Sequence, residues 1–209
     1  YKIRDLTAKQ TIQMLAEYDP TVAIVACFPK RIPRKVLNLP EAGFLNLHPS
    51  LLPQLRGPYP LFWTFRLGVR PGVSVHFMDE DLDTGDIVRQ KPLEFPDGIS
   101  AVDADSIIAK HGASLLVEAC RQVAKGDLVR APQEGEGSTY SRPGPGDFSI
   151  PTSWTARRAF NFIRGTADWN HPYLIHGPEF SMHVRSALTY IPGSTHDPAL
   201  RRNGADVLI

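Results

Sequence analysis

The sequence is short of several things that would decide its class quickly. It has two cysteines in 209 residues, Cys27 and Cys120, too few and too far apart for a zinc site or a disulfide framework. Each lies in an apolar stretch, so both read as buried free thiols of a reducing, cytoplasmic setting. No apolar run approaches the roughly 20 residues that span a bilayer. The opening "YKIRDLTAKQ" does not read as a signal peptide. Net charge is nearly absent, 23 Lys and Arg against 22 Asp and Glu, so no whole-chain field attracts nucleic acid. A local patch stays open at Arg157, Arg158 and Arg164, or at Arg201 and Arg202, although a salt-bridged helix explains the first group equally well. Gly-x-Ser-x-Gly is missing, and Ser50 precedes Leu-Leu-Pro rather than occupying a nucleophile elbow. There is no internal repeat. An initiator Met is also absent, and the abrupt ends read as those of a fragment.

What remains is a soluble globular composition, 42% hydrophobic and 22% charged, with length for one large domain or a domain and part of a second. "TAKQTIQMLAEY" (7–18) reads as a helix with Thr7 as its N-cap. "TVAIVACF" (21–28) is a near-continuous apolar run, the pattern of a central parallel strand covered on both faces. A short helix over 33–39, stopped by Gly43, leads to a second buried strand at 44–48. A helix at 59–67, strands at 72–78 and 87–95, and a long helix at 103–125 ending at Gly126 follow. The alternation predicts an α/β fold with a largely parallel sheet. Residues 131–153 are rich in Gly, Pro and Ser and read as a linker-like crossing segment. A last helix near 155–164 precedes a turn-rich tail with room for strands at 180–190.

Three features carry chemistry. Two-residue alternation places Asn46, His48 and Ser50 of "FLNLHPSLLPQLRG" on one face of an extended segment, near the C-terminal end of a strand. That edge of an open α/β sheet is where ligands bind. Asp83 sits in "DLDTGDI", an acidic loop whose Gly85 permits a tight turn. "FPKRIP" (28–33) follows the neighbouring strand and borders the same crevice. An amide donor, an imidazole and a carboxylate suit acyl transfer to an amine: the first two stabilise an oxyanion, the last two manage a proton. Each residue also has a plain alternative. Asn46 serves equally as a buried amide, Asp83 and Asp86 as turn formers, and His76 as a side chain facing a helix. His48, His76 and Asp83 are chemically able to ligate a metal, but their spacing matches no metal signature, and none is expected.

"NLHPSLLPQLRG" at 46–57 followed by "LDTGDI" at 82–87 resembles the 10-formyltetrahydrofolate-dependent formyltransferase family, most of all its methionyl-tRNA formyltransferase branch. The similarity is strongest over about residues 20–125. It implies that Asn46 and His48 act on the formyl carbonyl while Asp83 manages proton transfer. It also implies that folate is held largely by backbone of two loops, around Lys30, Arg31 and Ile32 and around Asp79, Glu80, Asp81 and Leu82. "RGPYPLFW" is reminiscent of sugar-amine formyltransferases, and "IPTSW" departs from the branch's usual "IDW". The expected co-substrate is 10-formyltetrahydrofolate. The expected acceptor is the amine of initiator methionyl-tRNA or of an amino sugar nucleotide, with water (a hydrolase) or no acceptor (an inactive folate-binding module) as alternatives. The resemblance further implies a Rossmann-like core over 1–130, lacking the family's N-terminal βαβ unit. The 131–153 segment and an irregular C-terminal extension over 154–209 would follow, with any barrel-like domain cut off near Ile209.

Overall fold

A computed structural model describes residues 3, 5–28, 30–177, 180–191, 201–203 and 206–208. The chain divides into two compact units. The first comprises Tyr1–Pro60, Arg70–Glu94 and Ile107–Ser141, and the second Leu61–Val69, Phe95–Ser106 and Arg142–Ile209. Two helices contribute to both: α3 (Pro60–Leu67) and α4 (Ala101–Lys125).

The first unit is built on a four-stranded sheet in the order β1-β2-β3-β4. These are β1 (Ala23–Ala26), β2 (Phe44–His48), β3 (Gly72–Phe77) and β4 (Ile87–Pro92), with α1 (Lys9–Ala16) and α2 (Arg34–Leu37) among the connections. The α/β class holds, and the sheet is mixed. β1 and β2 pair in parallel, whereas β2–β3 and β3–β4 are antiparallel. Strand–helix–strand order in sequence is the same whether the chain crosses over or turns back, so periodicity alone does not give the direction.

Leu45, Val75, Phe77 and Val88 alternate inward along β2, β3 and β4 and pack with Ala119 of α4. Leu47, Leu115 and Leu116 border this cluster. α4 passes close to β2 at Gly112, where a Cβ would run into the Leu47 side chain. Every residue of β3 is buried, its polar face included. Ser74 on that face donates to Ser50 O (2.6 Å) and accepts from Leu52 N–H (3.1 Å) and Gln90 Nε2 (2.9 Å). Ser50 in turn donates to Gln54 O at 2.6 Å. Buried hydroxyls thus shape the turn that follows β2.

Three local expectations need correction. Thr7 does not cap α1; it donates to Asp5 Oδ1 (Oγ1 at 2.6 Å), and Ala8 holds the cap position without a side-chain bond. β1 forms the border of the described sheet rather than its centre, and Ile24 is 50% exposed. For the same reason Cys27, just past β1, is exposed; Cys120 is half-buried, and both thiols are free.

The second unit centres on aromatic rings. Phe62 of α3 meets Trp63, Phe148, Phe162 and Trp169 edge-on at centroid distances of 5.2–5.6 Å. α5 (Ala156–Gly165) starts at Thr155, whose hydroxyl accepts from Arg158 N–H. β5 (Ser149–Pro151) pairs in parallel with β6 (Tyr173–His176), and β7 (Ser181–Val184) pairs antiparallel with β6. β8 (Arg201–Asn203) and β9 (Asp206–Leu208) pair antiparallel. The region after 150 is therefore more regular than its turn-rich sequence implied.

The α5 arginines have structural work. Arg157 pairs with Asp97 at 2.8 Å; Arg158 lies over the Trp154 ring and donates to Arg66 O; Arg164 donates to Gly98 O. Asp97, accepting from Tyr190, Asn161 and Arg157, is held down to about 2. The side chains of Arg201 and Arg202 lie outside the described residues.

Leu45 is fully buried beside Asn46. Truncating it to Ala removes packing from the first unit's core and should lower stability by about 2–5 kcal/mol. Urea denaturation reads this directly, and a loss below about 1 kcal/mol would contradict the packing described.

Candidate active site

Asn46, His48 and Asp83 converge in the first unit, and His76 joins them. Asn46 and His48 project from one face of β2 because they stand at positions i and i+2, with Leu47 between them. Across the antiparallel pair, His76 of β3 lies opposite Asn46. The register of β3 against β4 shifts at this point, Val75 pairing with Arg89 and His76 with Ile87, so that Val88 of β4 is the extra residue. Asp83 comes from the β3–β4 connection and sits in the left-handed region at φ 57°, a conformation aspartate tolerates better than most residues.

The role foreseen for Gly85 therefore changes. Asp83 supplies the left-handed turn, and Gly85 supplies space: a Cβ there would collide with Phe77 O. Gly57, at φ +115°, is required for both reasons, since a Cβ would strike Tyr140 O. Its N–H donates to Asp83 Oδ2 at 2.9 Å.

Backbone carbonyls set the proton positions on both histidines. A carbonyl only accepts, so His48 Nε2, 2.9 Å from Leu55 O, carries a hydrogen, as does His76 Nδ1, 2.7 Å from Phe77 O. In the neutral rings the other nitrogens are then lone-pair acceptors. His76 Nε2 accepts from Asn46 Nδ2 at 3.1 Å, which orients the amide with its NH2 group inward. The second Asn46 hydrogen is directed to Asp83 Oδ1 at 3.4 Å. His48 Nδ1 faces Asp83 Oδ2 at 3.5 Å, and His76 Nε2 lies 3.6 Å from Asp83 Oδ1.

With no hydrogen on His48 Nδ1, that ring nitrogen and Asp83 Oδ2 confront each other as two acceptors. Burial lowers the His48 pKa, opposed in part by Asp83 and by the bond to Leu55. Burial pushes the Asp83 carboxyl up, but the Gly57 N–H and any proton that the His76 or His48 ring turns toward it outweigh burial and leave it below the usual carboxylate range. At neutral pH the site rests with Asp83 ionised and His48 uncharged.

A cleft of about 670 Å³ opens along the same unit, lined by Leu37, Phe44, Phe77, Met78 and the run Asp79–Glu80–Asp81, with Arg34 and Arg130 at its polar margin. Arg34 reaches Glu80 at 3.2 Å, and Arg130 lies over the Phe77 ring while donating to Ala42 O. Of the sequence-predicted folate contacts, Asp79, Glu80 and Asp81 border this cleft. Lys30, Arg31, Ile32 and Leu82 do not, and Lys30 and Arg31 are exposed. Asn46, His48, His76 and Asp83 are not among its lining residues.

His76 is the member that the sequence leaves outside the catalytic set, as a helix-facing side chain or a weak metal-ligand candidate. The available signal was its place in "GVSVHFM": an imidazole on a buried strand face has to be hydrogen-bonded. Among the described residues, no group of three or more His, Cys, Asp or Glu is arranged to hold a metal ion. Among them, too, no helix is long and apolar enough to cross a membrane.

The chain is similar in sequence and in fold to known formyltransferases. Methionyl-tRNA formyltransferase of Thermodesulfovibrio yellowstonii is 35% identical over 163 residues, covering 78% of this chain and 53% of that protein. The chain spans about half the length of the curated relatives it matches. Among solved structures, a sugar N-formyltransferase from a Shewanella species superposes with a TM-score of 0.68 at 17% identity, over 90% of this chain and 77% of that one. A formyltransferase from Anoxybacillus kamchatkensis, in complex with a UDP-linked formamido sugar and tetrahydrofolate, superposes with a TM-score of 0.57 at 22% identity, over 68% and 71%. At these identities the two structures speak for the fold. The family profile described as formyl transferase matches residues 1–120, more than half of the sequence, and the chain belongs to that family.

Proposed function

We propose that the chain transfers a formyl group from 10-formyltetrahydrofolate to a primary amine, with initiator methionyl-tRNA as first-choice acceptor. The observation that carries this reading is the meeting of the Asn46 amide, the His48 imidazole and the Asp83 carboxylate at one point of a formyl transferase fold. The methionyl-tRNA acceptor rests on the curated relatives. The likeness to sugar N-formyltransferases favours an amino sugar nucleotide as the second reading.

An ammonium has no lone pair, so the acceptor must attack as the free amine. A C–N bond forms to the formyl carbon, the carbonyl π pair moves onto oxygen, and the C–N10 bond then breaks to release tetrahydrofolate. Asn46 would donate to the oxyanion by giving up its longer bond to Asp83. The nitrogen's proton would enter the gap between His48 Nδ1 and Asp83 Oδ2. His48, then an imidazolium held by Leu55 O, would add its charge to oxyanion stabilisation before the proton passes to N10.

The cleft bordered by Asp79, Glu80 and Asp81, at about 670 Å³, is large enough for a pterin ring.

Asp83→Asn keeps the shape and removes the proton acceptor. Turnover should fall by about 10²–10⁴-fold while folate affinity changes little, measured as tetrahydrofolate, formate and acceptor mass with and without candidate amines. Near-normal turnover would sink the Asp83 role. Formate without a formylated acceptor would indicate a hydrolase, and binding without product an inactive module.

Stability should also depend on pH in a stated direction. Folded His48 refuses a proton that the unfolded ring accepts near 6.5, so unfolding free energy should fall as pH drops below about 6.5. Asp83, lowered in the fold, contributes in the same sense at more acidic pH, its stabilisation being lost as pH falls from the ordinary carboxylate range through its folded pKa. Denaturation of wild type and His48→Gln across pH 5–8 checks this. An equal slope in both proteins would contradict it.

A further inference from the structure

We propose that Gln133, braced by Arg56, is a positioning residue for the Asp83 carboxylate; the kinetic part of this proposal rests on the formyl-transfer reading above. Gln133 lies in the segment whose sequence reads as a bare linker. Its two amide hydrogens go to Asp83 O at 2.8 Å and Gly85 O at 2.9 Å. Its oxygen accepts from Arg56 Nε at 3.0 Å and Arg56 Nη2 at 2.7 Å. All four hydrogen-bonding positions of the carboxamide are used.

These bonds join the two loops that carry the site. Arg56 directly precedes Gly57, whose N–H holds Asp83 Oδ2. Arg56 is itself fixed by backbone bonds, its N–H to Ser138 O and its carbonyl from Tyr140 N–H, both 2.9 Å. Gln133 therefore grips the Asp83 backbone while Gly57 grips its carboxylate. Without the grip, the left-handed peptide at Asp83 is free to relax to negative φ, which turns the side chain away from His48 Nδ1 and His76 Nε2.

Glutamine suits this place because it offers two donors and a forked acceptor at once. Gln133→Glu keeps and strengthens the Arg56 side but confronts two carbonyls with a carboxylate. Gln133→Leu removes both sides, and Arg56→Lys keeps the charge but loses the fork.

The test uses the full chain and two readouts, NMR titration of the His48 ring and steady-state kinetics with 10-formyltetrahydrofolate. Asp83 raises the His48 pKa, so displacing the carboxylate should move the His48 midpoint down. In Gln133→Leu and Arg56→Lys that downward shift is expected with kcat reduced about 10- to 100-fold and KM for the folate within about twofold. Gln133→Glu should lose kcat likewise. Gln54→Ala is the control: Gln54 bonds Glu136 O and Ser138 Oγ of the same segment without touching Asp83. It should leave both readouts unchanged. An unchanged His48 midpoint in Gln133→Leu and Arg56→Lys, or an equal shift in Gln54→Ala, overturns the proposal. If wild type transfers no formyl group, the functional reading fails on its own, and the titration still decides the role of Gln133.

Discussion

The site depends on two backbone carbonyls. Leu55 O and Phe77 O each accept from one nitrogen of a buried imidazole, and each thereby dictates that the opposite nitrogen presents a lone pair in the neutral ring. From this the remaining polarity follows. His76 orients the Asn46 amide with its hydrogens inward, and His48 is left facing Asp83 across a gap that lacks a proton. Burial makes the arrangement consequential, since at 3% and 1% exposure neither ring has water to substitute for its partners.

The fold supplies those carbonyls through connections that carry strain or close approach. Leu55 and Asp83 both adopt positive φ, and Gly57 and Gly85 occupy places where a Cβ would meet backbone. Strain of this kind collects at functional sites because surrounding bonds over-determine it. Here those bonds come largely from 131–141, which pairs with Ile87 and Arg56 and reaches the Asp83 loop through Gln133. A Gly- and Pro-rich composition marks absence of periodic structure without marking absence of contacts.

Much of this was legible from residues alone. β2 at 44–48 has the bounds its alternation predicts, because one apolar face has to be buried and a slip of one residue would invert it. Its C-terminal end follows from the turn residues after His48, which places Asn46 and His48 together. Asp83 was legible through the paired motifs. Other features depend on partners distant in sequence. The antiparallel return of β3 is invisible to periodicity, and so is the opposition of Asn46 and His76 that it creates. The exposure of Cys27 depends on which strand borders β1. The bonds of Gln133 span 48 to 77 residues of sequence, beyond any local pattern.

The most direct measurement of the central claim is the tautomeric state of the two rings, read from nitrogen-15 chemical shifts and long-range couplings at neutral pH. His48 is expected to be protonated at Nε2 and His76 at Nδ1, each hydrogen-bonded to its carbonyl. A His76 ring protonated at Nε2, or a His48 ring protonated only at Nδ1, would contradict it, because Asn46 and Asp83 would then face donors where the account requires lone pairs.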